Sequence, residues 1–283
     1  MEWSKLKNII LLMLVAVNVF LLILVVYRQR QTVQLEAMAR EDVVEVLRKN
    51  GIAMDPNGLP RNETFWNLKI QWDPLQARRV AEAALGYVTE ETLSSIIKYK
   101  SEKGTANFQG NGPFSIVFNT GESMPSEQEK TQRRDTLLHQ MKLETEDVWN
   151  RMEDGETVVY SARQQVDGVI LFNCVVTVTY VNHCLASIEG TCLMGTVDRS
   201  AGQQMPLSAF TALVRLIQYE SGHGAQSSEI QSIQTGCLLP AALTDVVQLE
   251  PVWCIVTDRR MYYVHEETGV VIEAEKQKQV SNS

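Results

Sequence analysis

The chain has 283 residues, of which 45% are hydrophobic, 21% charged and 7% aromatic. This composition is typical of a globular protein with one large domain or two smaller ones, and it excludes a wholly disordered or fibrous chain. The formal net charge of -8 argues against nucleic-acid binding, because neutralising phosphates requires clustered Lys and Arg.

An apolar run near the N-terminus, residues 9–27, contains no charged residue. About 20 apolar residues cross a bilayer core as a helix, so the run predicts a transmembrane helix in a lipid bilayer. A cleaved signal peptide is one alternative, but its small-residue site at 37–39 would lie too far beyond the run. A buried core helix is another, and no polar stripe supports it.

Asn18 lies near the middle of this run. An amide in hydrocarbon is stabilised by a hydrogen-bond partner, so Asn18 predicts contact with a neighbouring helix; a tolerated lone amide is the alternative. Lys5 and Lys7 precede the run and Arg28 and Arg30 follow it, which leaves the orientation open by charge alone.

Helix signals follow in chain order. Residues 28–50 predict a juxtamembrane helix that stops at Asn50-Gly51. Asp73-Pro74 opens the clearest helix, because Asp caps free amides and Pro suits the first helical position. Residues 126–129 form a capping box, and a short helix is predicted at 146–152.

Strand signals dominate the middle and the C-terminal part. Val166-Asp167-Gly168 lies between two β-branched runs and predicts a hairpin. A helix from Pro206 precedes a second set of strands over 229–273. The stretches 73–77 and 205–209 read alike and both open a helix, which is the pattern of a duplicated unit.

These elements together predict an α+β fold, in which one N-terminal transmembrane helix precedes a domain of helices and antiparallel meander sheets. A duplicated α+β unit is one interpretation of that domain. The predicted segments are an N-terminal tail at 1–8, the transmembrane helix at 9–27, a juxtamembrane helix at 28–50, a first α+β lobe at 51–200, a second at 201–275 and a flexible tail at 276–283.

Motifs that carry chemistry are missing from the sequence. No H-E-x-x-H pair, nucleophile elbow, phosphate-binding loop or dinucleotide fingerprint is found. The acidic pair Glu266-Glu267 is interpreted as a solvated turn. The sequence therefore predicts a non-enzymatic protein without a metal or cofactor.

The five cysteines are interpreted as small core residues, although one or two disulfides remain open. Zinc-binding spacing is absent. These residues are Cys174, Cys184, Cys192, Cys237 and Cys254.

Several segments make the chain resemble the YycI family and, more distantly, the YycH proteins. The resemblance is one of pattern and order over nearly the whole chain. It lies in Met1–Lys7, in Asn18–Leu22, in the hairpin region Gly155–Tyr180, and in the run from Leu249–Trp253 through Tyr262–Val264 to Thr268-Gly269.

The resemblance implies a single-pass protein of the cell membrane, with its N-terminus in the cytoplasm and its domain outside the cell. It implies two protein partners, a WalK-like sensor histidine kinase and a YycH-like protein. Contacts in the membrane would involve Asn18 and Phe20, and further contacts would form outside. The implied function is regulation of cell-wall metabolism without catalysis.

Two other functions fit the sequence. One is a PepSY-like extracytoplasmic module that binds a ligand or inhibits a partner, and the other is a cell-envelope enzyme. The sequence leaves open whether a kinase would be activated or inhibited, which ligand is bound, the disulfide pattern, the oligomeric state and the boundary between the lobes.

Overall fold

The fold was determined from a computed structural model, which describes a single residue near the N-terminus and most of the chain from residue 43 onward. Residues 43–49 are helical, and a 3-10 turn covers Pro56–Gly58. Three longer helices follow: α1 (Pro74–Leu85), α2 (Glu127–Met141) and α3 (Ala209–His223). The described residues are 13, 43–60, 65–66, 68–93, 96–110, 112–119, 123–198, 203–204, 207–224, 226–241 and 245–274.

Strands make up most of the described chain. They are β1 (Ala53–Met54), β2 (Phe65–Trp66), β3 (Lys69–Trp72), β4 (Thr89–Leu93), β5 (Ile96–Ser101), β6 (Gly104–Phe108), β7 (Pro113–Phe118), β8 (Asn150–Asp154), β9 (Thr157–Val166), β10 (Val169–Val181), β11 (Cys184–Thr191), β12 (Gly195–Asp198), β13 (Gln203–Gln204), β14 (Glu229–Leu238), β15 (Val246–Gln248), β16 (Glu250–Thr257), β17 (Met261–His265) and β18 (Val271–Ala274).

One large mixed sheet organises the described residues. It has 13 strands, and its main path runs β18-β17-β16-β14-β10-β11-β7-β6-β5-β4. β9 pairs with β10 and β8 with β9, while β1 adds in parallel to β14. β10 and β14 are also parallel, with Leu171 opposite Cys237. Two small sheets, β12-β3-β15 and β13-β2, complete the described strands.

Helices cover this sheet at two places. α1 and α2 pack over the β5–β11 part, where Val80 and Leu137 join Ile116 and Tyr180 in one buried cluster. α3 packs over β16 and β17, where Leu213 belongs to a second cluster. Each such side chain contributes about 1.5–3 kcal/mol when it is removed from water, so these two layers provide much of the stability.

Local signals in the sequence gave several correct predictions. Asp73 caps α1, since its Oδ1 accepts a hydrogen bond from the Leu75 N–H at 2.9 Å. The capping box at the start of α2 is confirmed, with Ser126 and Glu129 bonded in both directions. The hairpin at Asp167-Gly168 is confirmed as well, because β9 and β10 pair across it.

The predicted fold class is wrong in its balance and in its sheets. In the described ranges, strands outnumber helices, and meanders on both sides of residue 200 belong to one mixed sheet. The reason is the parallel pairing of β10 with β14, which local sequence patterns do not reveal. Residues 199–202, at the predicted lobe boundary, lie outside the described part of the chain.

The N-terminal transmembrane helix is likewise not supported. No helix in the described ranges is both long and apolar enough to cross a membrane. Apart from Met13, the predicted span at 9–27 lies outside the described residues, as do the predicted tails at 1–8 and 276–283.

One local prediction in the middle of the chain is wrong. The helix predicted at 146–152 is absent from the described structure, and β8 forms there by pairing with β9. β6 lies in a stretch that reads as polar and Gly-rich. Gly104 suits β6 because a Cβ there would lie 2.1 Å from the Val117 carbonyl oxygen, so the close approach of β7 requires glycine.

Candidate functional site

A cleft lies at the C-terminal end of the large sheet, between the start of β16 and the turn after β17. Its volume is ≈ 460 Å³. We call it the C-terminal cleft. The residues that line it are Gln248, Leu249, Glu250, Pro251, His265, Glu267, Thr268 and Val270.

Backbone hydrogen bonds fix the turn that forms one side of the C-terminal cleft. The His265 N–H donates to the Val270 carbonyl at 2.9 Å, and the Gly269 N–H donates to the His265 carbonyl at 2.9 Å. Gly269 has φ +67°, a left-handed conformation that glycine adopts without strain. The Val270 N–H donates to Thr268 Oγ1 at 3.2 Å. This side of the cleft is therefore held in one backbone conformation.

Glu266 is the unusual residue of this turn. Its side chain is 4% exposed, and neither carboxyl oxygen has a hydrogen-bond partner among the residues that the structure describes. Its backbone N–H donates to the carbonyl oxygen of Pro251 at 3.1 Å, which joins the two sides of the C-terminal cleft. Burial, with a smaller contribution from Glu267, raises the pKa of Glu266 to about 7.

The charges around the C-terminal cleft are mostly negative. Glu250 Oε2 lies 3.8 Å from His265 Nδ1, and Glu267 adds a further carboxylate. Among the described lining residues there is no Lys or Arg. Arg215 of α3 approaches the turn at Gly269, where its Nε lies 3.1 Å from the position of a Cβ on that glycine. The cleft therefore favours cationic or hydrogen-donating ligands.

A carboxyl group with a pKa near 7 holds its proton about half of the time at neutral pH. Glu266 can therefore be ionised or protonated near neutral pH, and its side chain is buried next to the lining residues His265 and Glu267. Perturbed carboxyl groups beside a cleft are typical of binding and catalytic sites. No group of three or more His, Cys, Asp or Glu side chains is placed to hold a metal ion in the described ranges.

A second polar cluster fastens α2 to the sheet. Glu127 accepts hydrogen bonds from Lys130 Nζ at 2.8 Å, from Arg151 Nε at 3.2 Å and from the Tyr160 hydroxyl. We call these four residues the Glu127 network. Burial alone would raise the pKa of Glu127, but the hydrogen bonds from Lys130, Tyr160 and Arg151 outweigh it and lower the pKa to about 2.

Aromatic rings complete this attachment of α2. The Arg134 guanidinium lies 4.3 Å from the centre of the Trp149 ring and 5.4 Å from that of Tyr160. The Tyr180 hydroxyl donates to the Lys130 carbonyl at 2.8 Å. Every group named here has a partner, so this region stabilises the fold.

A third cluster is buried at the end of α3. Glu220 is 3% exposed and accepts from Ser227 Oγ at 2.5 Å and from the Ser227 N–H at 3.1 Å. Ser227 Oγ also lies 3.0 Å from Thr257 Oγ1. Because these polar atoms satisfy one another, the cluster anchors the loop after α3 to β16.

Among the described residues, the histidines and cysteines do not gather into one group that could hold a metal ion. Asn18 and Phe20, the predicted partner-binding residues, lie outside the described residues. The histidines occupy separate places: His139 in the last turn of α2, His183 in the β10–β11 turn, His223 at the end of α3 and His265 in the C-terminal cleft. The five cysteines have free thiols, and all except Cys184 are buried.

Sequence reasoning missed Glu266. Its interpretation as a solvated turn residue is wrong, because the side chain is buried. Strand alternation gives no signal for this burial, because both faces of β17 are buried from Met261 to Val264. The burial of Glu266 comes from tertiary packing, which no local pattern reveals.

Comparisons with known proteins assign no family. No family model matches the chain, and no curated protein matches it. An uncharacterized protein from Eubacterium rectale is similar in structure, with a TM-score of 0.49 and 10% identity, over 78% of this chain and 85% of its own. The C-terminal domain of YpeB from Bacillus megaterium gives a TM-score of 0.35 and 10% identity, over 73% of this chain and 99% of its own.

Proposed function

We propose that the chain is a non-enzymatic binding module, of the ligand-binding or inhibitory kind expected of PepSY-like domains, and that the C-terminal cleft receives its ligand. One observation carries the proposal. The Glu266 carboxyl is buried without a hydrogen-bond partner in the described part of the chain, and its neighbours His265 and Glu267 both line the cleft. A buried carboxyl without a hydrogen-bond partner lowers the stability of the fold. We infer that Glu266 is kept because it contributes to binding.

The charges of the cleft indicate the class of ligand. Glu250 and Glu267 line the cleft and attract a cation, and a Lys or Arg side chain of a polypeptide can donate hydrogen bonds to these carboxylates. Glu266 is buried beside them and adds a negative charge when it is ionised. A bound cation stabilises the ionised form of Glu266. Binding therefore releases a proton below pH 7, and affinity rises with pH through the pKa of about 7.

A peptide-binding measurement tests this proposal. A fluorescent Lys-rich decapeptide is titrated with the protein at pH 6 and pH 8, and a Glu-rich decapeptide serves as the charge-reversed probe. We expect the protein to bind the Lys-rich peptide roughly tenfold more tightly at pH 8, because Glu266 changes from about 10% to about 90% ionised. The Glu-rich peptide should bind weakly at both pH values.

Two variants make the test specific. Glu266→Gln keeps the shape of the side chain but removes its charge, so it should weaken binding at pH 8 and abolish the pH dependence. Glu156→Gln changes an exposed carboxyl in the β8–β9 turn and should bind like the unmodified protein. Equal binding by the two variants would contradict the proposal. Cleavage of the peptide, followed by mass spectrometry, would instead favour the cell-envelope enzyme.

A second proposal names the partner as a WalK-like sensor histidine kinase, with a YycH-like protein beside it and the domain outside the cell. Its support is the resemblance to the YycI family, whose segments Leu249–Trp253 and Thr268-Gly269 contribute residues to both sides of the C-terminal cleft. Co-purification of the extracellular domain of such a kinase with this chain, reduced by Glu266→Gln, is the expected result. Equal recovery of the kinase domain with Glu266→Gln and with the unmodified protein would count against the cleft as the contact surface.

A further inference from the structure

The strand β18 lies at one end of the large sheet and directly beside the C-terminal cleft. In the described ranges it pairs only with β17, so its other edge has no strand partner. Val270, the residue before β18, lines the cleft. An open strand edge presents N–H and C=O groups that can pair with another chain. An extended segment lying along this edge can therefore continue into the cleft.

The hydrogen bonds between β17 and β18 show which backbone groups face the open edge. The His265 N–H donates to the Val270 carbonyl at 2.9 Å, and the same register continues to the end of β18 without a shift. Hydrogen-bonded and non-hydrogen-bonded pairs alternate along an antiparallel ladder. Ile272 therefore directs its N–H and C=O toward β17, as Val270 does with its C=O. Val271 and Glu273 direct theirs away from β17.

Exposed apolar side chains accompany these backbone groups. Val270 is 53% exposed and Ile272 is 43% exposed. They are two residues apart, so they point to the same face of the sheet. Side chains of an added strand would lie about 4.5–5.5 Å from those directly opposite and would cover this apolar surface. β18 contains neither Lys nor Pro, the residues that commonly protect a strand edge from pairing.

The charges near the edge indicate what can pair with it. Glu250 and Glu267 line the cleft, and there is no Lys or Arg among the described lining residues. Glu273 on β18 already bonds to Arg260, so the attraction for a cation comes from the cleft. A second copy of the chain would bring the same carboxylates to this edge, and like charges repel. A polypeptide with Lys or Arg beside apolar residues complements both the cleft and the exposed apolar side chains.

We propose that the polypeptide ligand of the C-terminal cleft binds in an extended conformation, as an additional strand on the free edge of β18. Its backbone pairs with the N–H and C=O groups of Val271 and Glu273, and a Lys or Arg side chain enters the cleft. The backbone bonds supply affinity, and the acidic cleft supplies selectivity for charge. This inference rests on the proposed function, because it specifies how the ligand of that site is held.

Amide hydrogen exchange tests the predicted pairing residue by residue. The exchange of the ¹⁵N-labelled protein is measured by NMR at pH 7, with and without the Lys-rich decapeptide. The N–H groups of Val271 and Glu273 should exchange roughly tenfold more slowly when the peptide is bound. The Ile272 N–H should be protected in both samples. The amides of β4, at the other end of the main path, should not change.

A modified peptide separates this inference from the proposed function. The copy carries methyl groups on the backbone nitrogens of its central residues, so it keeps the Lys charges but cannot donate backbone hydrogen bonds. It should bind at pH 8 roughly tenfold more weakly than the unmodified peptide, because its N–H donors to the Val271 and Glu273 carbonyls are lost. Equal binding of the two peptides would overturn the added strand alone. Failure of both peptides to bind would overturn the proposed function as well.

Two variants of one residue complete the test. Glu273→Pro removes an N–H that faces the open edge, and proline is tolerated at such edge positions. It should weaken peptide binding roughly tenfold. Glu273→Gln keeps the N–H and removes the charge, so it should change affinity by less than about threefold. If Glu273→Pro fails to fold, the methylated peptide decides with the unmodified protein.

Two results with these samples would overturn the added strand. One is equal binding of the Lys-rich peptide by folded Glu273→Pro and by Glu273→Gln. The other is protection of the Val271 and Glu273 amides in the free protein, because another segment of the chain or a second copy would then already occupy the edge.

Discussion

The backbone N–H of Glu266 donates to the carbonyl oxygen of Pro251 at 3.1 Å, and this bond holds the turn after β17 against the start of β16. The same bond fixes the chain position at which the Glu266 carboxyl is buried. This hydrogen bond therefore contributes both to the packing of the sheet and to the shape of the candidate site.

Glu266→Gln is expected to stabilise the protein above neutral pH. Because the folded-state pKa of Glu266 is raised to about 7, stability is highest below the unfolded value near 4.5 and falls as pH rises through 7. The loss in the free energy of unfolding approaches roughly 3 kcal/mol at pH 8, and the uncharged side chain of Glu266→Gln avoids most of this loss. Urea unfolding of Glu266→Gln and of the unmodified protein at pH 5 and pH 8 measures the change in the free energy of unfolding. An equal loss of stability in the two proteins between these pH values would contradict the expectation.

Gly104→Ala is expected to destabilise the protein strongly. The new Cβ would lie 2.1 Å from the Val117 carbonyl oxygen and 3.1 Å from Leu85 Cδ2, so β6 and β7 must separate. We expect a cost of about 2–4 kcal/mol in the free energy of unfolding. Gly222→Ala is the control, since a Cβ in that turn of α3 meets nothing within 4 Å. It should be neutral or stabilise by up to about 1 kcal/mol.

The Glu127 network predicts a loss of stability in acid. The pKa of Glu127 is lowered to about 2, so its contribution is present above the unfolded value near 4.5 and disappears as pH falls through 2. The Glu127 side chain is half exposed, and screening limits the contribution to about 1 kcal/mol. Glu127→Gln should therefore lower stability at pH 7 and have little effect at pH 2.

Denaturant titration of Glu127→Gln at the two pH values measures this difference. Glu129→Gln is a useful comparison because it changes the neighbouring capping-box residue, whose carboxyl accepts hydrogen bonds from Ser126. That variant should retain the contacts of Lys130 and Arg151 with Glu127. An effect of Glu127→Gln that does not change with pH would show that its hydrogen bonds with charged groups contribute nothing.

Local chemistry explains which elements could be predicted from the sequence. Asp73-Pro74 and Asp167-Gly168 act through neighbouring backbone groups, so their signals are complete within a few residues. The pairing of Leu171 with Cys237 joins residues far apart in the chain, and no local pattern specifies it. β8 forms where a helix was predicted because pairing with β9 overrides local preference.

The candidate site shows the same division. His265 and Glu250 were visible as polar residues, but their approach across the C-terminal cleft depends on the register of β16 with β17. Glu266 follows a strand in which Met261 to Val264 are all buried, so strand alternation does not reveal it. The physical cause is that burial of a turn residue depends on what packs over it, which is a tertiary property.

Titration of the Glu266 side chain by carboxyl ¹³C NMR tests the central claim most directly. The structure predicts a pKa of about 7 for this carboxyl in the free protein, because burial disfavours its charge. Addition of the Lys-rich peptide should lower that pKa by at least one pH unit. A value near 4.5 in the free protein, unchanged by the peptide, would contradict the account.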